Sequence, residues 1–177
     1  MRDHYWQSLL SGAADYTPWL RDHGSLTRRI RQHCEVFSVR PQRSGLARVA
    51  YDEAALLGFP ADRYAFSREV FLCADGRPVV FAHSTCARVH LQGTWHAMQG
   101  LGNRSLGTLL FTHPLVKRQP LHFKALQSHH ALYKRAIAVP GERPAKLWAR
   151  RSLFYLYGAP LLVTEVFLPE ILALNKR

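Results

Sequence analysis

Apolar and polar positions alternate most clearly over two stretches, and each predicts a pair of antiparallel strands. The first is Tyr64 to Val80, YAFSREVFLCADGRPVV, with Asp75-Gly76 as the strongest short turn signal in the chain. The second is Trp148 to Pro169, WARRSLFYLYGAPLLVTEVFLP, where two runs rich in Leu, Val, Phe and Tyr flank Gly158-Ala159-Pro160. In its second run Leu161, Val163, Glu165 and Phe167 share one face, while Leu162, Thr164, Val166 and Leu168 share the other. Both faces are mostly apolar, which predicts a central strand covered on both sides. In the first hairpin Tyr64, Phe66, Arg68, Val70 and Leu72 share a face.

The remaining elements are read from weaker signals. Tyr5 to Leu20 is a helical start, with Thr17-Pro18 as an N-cap and N1 pair. Gly24 breaks it, and Ser25 can cap a second helix from Leu26 to about Gln32, giving a helix-break-helix that could serve as a lid. Cys34 to Arg40 and Leu46 to Tyr51 read as strands around a Pro41 to Gly45 turn, followed by a connection from Asp52 to Pro60. The strong hairpin follows, with strands near Tyr64–Ala74 and Pro78–Ala87; His90 to Met98 reads as helical, and Ser105 as the cap of a short helix through Leu110. Pro114 to Gln127 holds one more strand, and Ser128 to Pro144 carries no clear periodicity. Sheet-forming hairpins outnumber helices, so the fold class expected is α+β with a mostly antiparallel sheet.

Two charged residues interrupt the apolar faces. Glu165 is the one acidic residue between Glu142 and Glu170 and sits among residues that favour a dry environment. An ionised carboxylate there needs pairing, protonation or hydration. Arg68 interrupts its own face in the same way, and a buried guanidinium needs an anion or several carbonyls. Two outcomes stay open at this level. Either the two residues form a structural ion pair, or Arg68 awaits the carboxylate of a ligand.

Composition narrows the class. With 177 residues the chain is expected to form one domain, 1–177, able to bury a core without staples. Three cysteines, Cys34, Cys73 and Cys86, form no C-x-x-C or disulfide framework, which points to the cytoplasm. The opening residues MRDHYWQSLLSG lack the apolar core of a signal peptide, and the longest apolar run, around Leu161 to Leu168, falls short of the roughly 18 residues of a span. The net charge of +12 suggests nucleic acid first and a membrane surface second. Yet the basic residues are dispersed, and no helix-turn-helix, zinc-finger or RNP-type signature accompanies them. No nucleic acid and no stable membrane insertion are therefore expected, and the charge suits a small dianion equally well. His122 and the His129-His130 pair lack zinc-ligand spacing, so no metal is expected. Ser84 and Ser152 lack a nucleophile elbow, Gly100, Gly102 and Gly107 are too loose for a dinucleotide fingerprint, and Cys73 and Cys86 read as core thiols.

Four segments in order, SLTRRI, REVFLCADGRPVVFAHS, LGNRSLGTLLF and WARRSLFYLYGAPLLVTEVFLPE, resemble the bacterial chorismate pyruvate-lyases, over about Trp19 to Glu170. The resemblance implies an antiparallel sheet with helices on one side and helical flaps over a buried ligand site. It implies a cofactor-free monomer that eliminates pyruvate from chorismate, giving 4-hydroxybenzoate for ubiquinone biosynthesis. By position Arg68 matches the family's ligand-carboxylate arginine, Glu165 the glutamate of its T-E-x-F-L-P segment, and Leu106 a pocket residue. Leu26 matches a flap position that is Met in some relatives, a change that keeps volume and apolarity. His83 stands where some relatives carry an arginine; it is taken as a substrate-binding position, one that leaves the second carboxylate weakly served. Arg68 and Glu165 are the expected catalytic pair, with Glu165 a general acid if burial keeps it protonated. The same fold serves noncatalytic effector-binding domains of transcription regulators. A small-carboxylate-binding module is therefore the alternative, although the chain has no room for their preceding winged-helix domain.

Overall fold

Seven strands pair side by side in one antiparallel sheet, seen in a computed structural model that describes residues 6–60 and 63–176. They are β1 (Phe37–Arg48), β2 (Tyr64–Ala74), β3 (Arg77–Cys86), β4 (Lys117–Arg118), β5 (His122–Gln127), β6 (Lys146–Leu156) and β7 (Ala159–Phe167). Their order is β1-β2-β3-β7-β6-β4, with β5 also pairing β6. The helices are α1 (Thr17–Leu20), α2 (Leu26–Arg31), α3 (Tyr51–Leu57), α4 (Leu106–Thr112) and α5 (Ala131–Ala136).

The central position of β7 follows from its two apolar faces. On one face Leu161 joins Phe66, Cys86 and Phe154, and Phe167 joins Trp19, Leu20 and Ile30. On the other face Val166 and Leu168 pack with Phe71, Phe81 and the α5 residues Leu132, Tyr133 and Ala136, while Leu162 packs with Ala54 and Leu57 of α3. Helices α3 and α5 thus cover one side. Helices α1, α2 and α4 lie across the other, as flaps.

Both hairpins turn through a residue pair in the left-handed region, Asp75-Gly76 (φ +49° and +78°) and Tyr157-Gly158 (φ +49° and +79°). The second turn therefore comes one residue earlier than the expected Gly158-Ala159-Pro160, and Pro160 lies within β7 opposite Tyr155. A bulge decides the first hairpin. Cys73 pairs with Pro78 but Leu72 pairs with Val80, so Val79 is an extra residue in β3. The insertion shifts the register by one, which moves every later β3 side chain to the opposite face of the sheet.

Several sequence expectations are corrected. The two strands expected around Pro41–Gly45 are one edge strand, β1, paired with β2 along its length and irregular between Pro41 and Arg43. An edge strand needs ladder bonds on one side alone, so a proline is tolerated there. The N-terminal helix begins only at Ala14; Gln7 bridges to Phe123, Thr17 is the first residue of α1 rather than its cap, and Tyr5 lies outside the described residues. The connection from Asp52 holds α3, ended by Gly58 at φ +75°. His90 to Met98 forms 3-10 turns, Pro114 to Gln127 holds two strands, and the 128–144 stretch holds α5, where the His130 ring accepts from Leu132 N–H. The serine caps stand as expected. Ser25 Oγ accepts from Arg28 N–H at the start of α2, and Ser105 Oγ from Gly107 N–H at the start of α4.

Candidate active site

Beneath the flaps lies a cavity whose floor is the sheet. Arg68, Val70 and Leu72 of β2, Ala82 and Ser84 of β3, Val163 and Glu165 of β7, Phe154 of β6 and Arg118 of β4 line it. Leu26 and Thr27 of α2 and Ser105, Leu106, Gly107, Leu110 and Phe111 of α4 close it from above. Strand alternation explains the floor, because each of these positions falls on the inward face of its strand.

Arg68 is 4% exposed, and its Nη2 donates to the carbonyls of Gly102 (3.0 Å) and Arg104 (2.9 Å), in the loop that leads into α4. Burial pulls its pKa down, but a guanidinium remains charged at neutral pH. These carbonyls orient the cation without neutralising it. Glu165 has a different partner. Arg150, directly opposite on β6, donates from Nε to Glu165 Oε2 at 2.5 Å. Arg150 is itself buried, and its Nη1 donates to the carbonyls of Trp19 (2.8 Å) and Asp22 (2.6 Å). One guanidinium therefore fixes Glu165 and ties the segment before α2 to the sheet. Of the two outcomes left open by the sequence, the ion pair between Arg68 and Glu165 is absent.

The roof is made by two helix starts that cross. Thr27 Oγ1 and Ser105 Oγ lie 2.5 Å apart and share a hydrogen bond. A Cβ on Gly107 would meet Thr27 Oγ1 at 3.1 Å and Ser105 Oγ at 3.3 Å, so only glycine lets the flaps approach this closely. Leu26 and Leu106 are the first residues of α2 and α4, and this crossing sets both over Arg68. Four of the five expected site residues, Arg68, Glu165, Leu106 and Leu26, thus surround one cavity.

His83 does not join them. The Val79 bulge places Ser84 opposite Arg68 and turns His83 to the far face, where it is buried. There its Nε2 lies 3.1 Å from Glu53 and its Nδ1 3.1 Å from Glu69. His83 is thus not among the residues that line the cavity. Arg118 and Arg150 do not stand out among the dispersed basic residues of the sequence. Arg150 alternates with Trp148, Ser152 and Phe154, a usable signal once the turn is placed at Tyr157-Gly158. Arg118 sits in a two-residue strand with no periodicity to read. The thiols of Cys73 and Cys86 are buried, and burial pushes Cys86 up to about 12, which removes both as nucleophiles at neutral pH. Among the described residues no group of three or more His, Cys, Asp or Glu side chains is arranged to hold a metal ion, and no helix is long and apolar enough to cross a membrane.

In overall shape the chain is similar to the effector domain of PhnF from Mycobacterium smegmatis, with a TM-score of 0.55 at 11% identity over 83% of this chain and 90% of that one. It is similar also to a GntR-family transcriptional regulator from Bacillus cereus, with a TM-score of 0.54 at 12% identity over 76% of this chain and 92% of that one. At such identities the likeness is one of fold alone. Sequence relatives are much nearer. The "Probable chorismate pyruvate-lyase" of Nitrosospira multiformis is 54% identical, over 88% of this chain and 87% of its own length. The protein of the same name from Dechloromonas aromatica is 42% identical, over 99% of this chain and 100% of its own length. The family model for chorismate lyase matches residues 6–176. The chain belongs to the chorismate lyase family.

Proposed function

We propose that the chain is a chorismate pyruvate-lyase and that the cavity beneath α2 and α4 is its active site. The observation that carries this is a charged Arg68 held by backbone carbonyls, facing a Glu165 already engaged by Arg150, across walls of Val70, Leu72, Val163 and Phe154. Arg68 takes the ring carboxylate of chorismate through a charge-assisted contact. Leu26 and Leu106 close over the ring.

The reaction needs little from the protein beyond position and charge. The C3–O bond breaks and its electron pair leaves with the enolpyruvyl oxygen. The C4–H electron pair becomes the C3–C4 double bond that completes the aromatic ring. The C4 proton ends on the methylene carbon of the departing fragment, which becomes pyruvate, and 4-hydroxybenzoate remains. Atoms balance without an external oxidant. Glu165 is best placed as the acceptor for the 4-hydroxyl group, because Arg150 engages it as a charged acceptor. With Arg150 Nε donating to its Oε2, we give Glu165 this contact rather than the general-acid role. Fixed dipoles and charges in a site closed to water do the rest.

Three cysteines without a C-x-x-C spacing suit a reducing compartment, so we place the activity in the cytoplasm, in one domain acting as a monomer and supplying 4-hydroxybenzoate to ubiquinone synthesis. The decisive experiment mixes the protein with chorismate and follows 4-hydroxybenzoate and pyruvate together. Equal release of both is expected, and it is lost on Arg68→Ala. Bound 4-hydroxybenzoate with no release of either product would identify a binding module instead.

A further inference from the structure

The cavity holds a second arginine, which the reaction steps above do not use. Arg118 lies on β4, at the opposite edge of the cavity floor from Arg68. Its guanidinium stands 5.3 Å from the Phe154 ring centroid and 5.6 Å from that of Phe111. Its Nη1 donates to His23 O at 2.9 Å, while its buried Nε has no hydrogen-bond partner. A buried donor left unpaired is costly, more so on a cation, and a native site that keeps one has usually reserved it. The nearest carboxylate on the floor, Glu165, is already engaged by Arg150.

We infer that Arg118 receives the enolpyruvyl carboxylate of the substrate, and so distinguishes the dianion from the singly charged product. The inference rests on the lyase reading above. The sheet order supports it. From Arg68 on β2 the floor runs through β3, β7 with Glu165, and β6 to Arg118 on β4. Chorismate has the same order of groups, with the ring carboxylate at one end, the C3–C4 oxygens in the middle and the side-chain carboxylate at the other end. Four strand steps of about 4.8 Å separate the two backbones, and two inward-reaching arginine side chains shorten that span to molecular length. The position also suits departure. A cation beside the leaving fragment stabilises the negative charge that gathers there as the C3–O bond breaks. Once pyruvate leaves, the remaining monoanion has no group for Arg118.

The test is Arg118→Gln, with Arg68→Ala beside it. The readouts are KM and kcat for chorismate, the Kd of 4-hydroxybenzoate, and the Kd of 4-hydroxy-3-(carboxymethoxy)benzoate, a stable aromatic dianion. For Arg118→Gln we expect KM and the dianion Kd to rise roughly 10- to 100-fold, the loss of one charge-assisted contact, with the 4-hydroxybenzoate Kd within about two-fold of wild type. Arg68→Ala should weaken both ligands. If Arg118→Gln weakens monoanion and dianion equally, Arg118 only props the His23 segment and the inference falls. If it changes neither, the inference falls as well. A wild-type protein that binds both aromatics but releases no pyruvate from chorismate would instead overturn the lyase reading on which the inference stands.

Discussion

Glu165 and Arg150 stand opposite one another in the β6–β7 ladder, and a single atom change separates a working pair from a broken one. Glu165→Gln keeps the volume, removes the charge facing the 4-hydroxyl group and leaves a buried Arg150 without its anion. We expect kcat to fall by about 10²-fold, with 4-hydroxybenzoate affinity falling less, measured by pyruvate release and calorimetry. Unchanged turnover would show that the substrate hydroxyl lies elsewhere. Arg68→Ala acts on the other end of the ligand. Affinity for 4-hydroxybenzoate should drop by roughly 30- to 100-fold, and intact affinity would mean that the carboxylate has been misplaced. Arg68 and Glu165 were legible in the sequence because one charge on an otherwise apolar alternating face stands out. Arg150 was not, since the pairing 150↔165 depends on a turn at Tyr157-Gly158, and a tyrosine in the left-handed region is hard to foresee. The face that His83 occupies was hidden for a related reason. The bulged Val79 leaves no mark in the local alternation, yet it decides which face His83 occupies.

At the scale of elements, the two hairpins and both serine-capped flaps follow from local chemistry, whereas β1 required knowledge of its neighbour. Pro41 and Gly45 signal a turn in isolation, and only pairing with β2 makes the stretch a strand. The flap contact is the element-level feature open to test. Helices α2 and α4 meet where Thr27 Oγ1 and Ser105 Oγ share a hydrogen bond, and Gly107 leaves the space they use. Gly107→Ala puts a methyl group 3.1 Å from Thr27 Oγ1, so one flap has to lift by a few tenths of an ångström. Product dissociation should quicken several-fold in stopped-flow displacement, and KM for chorismate should rise. The melting temperature should change little, since the first turn of a helix tolerates alanine. A variant with wild-type product release would mean that the flaps part somewhere other than this contact. Thr27→Val removes the shared hydrogen bond without adding volume at Gly107 and should quicken release in the same direction.

Across the whole molecule, the face of the sheet away from the cavity is held by charge as well as by apolar packing. His83 on β3 bridges Glu53 of α3 and Glu69 of β2, Arg135 of α5 pairs with Glu69, and Arg151 of β6 pairs with Asp52 of α3 at 2.5 Å. The two far-side helices are thereby fastened to three strands. Burial alone would lower the pKa of His83, but the two flanking carboxylates outweigh it and raise it from 6.5 to about 9. Burial likewise works against Glu53 and Glu69, and their cationic neighbours hold both below the usual 4.5. The signs of the two effects differ. A histidine raised by folding stabilises fully below 6.5 and loses that contribution as pH climbs through about 9. Carboxyls lowered by folding stabilise above 4.5 and lose the contribution as pH falls through their folded values. Urea unfolding should therefore show greatest stability between these limits, near pH 5 to 6.5, with a decline of about 3 kcal/mol by pH 9.5 on the alkaline side, at about 1.4 kcal/mol per pKa unit. His83→Gln keeps hydrogen bonding but leaves two buried carboxylates short of a cation. We expect it to lose about 3–5 kcal/mol at pH 6 and to lack the alkaline decline. Because the network lies across the sheet from the cavity, the folded variant should bind 4-hydroxybenzoate within about two-fold of wild type. A His83→Gln protein that keeps its stability but loses the ligand would return His83 to the substrate site and overturn the face assignment made by the Val79 bulge.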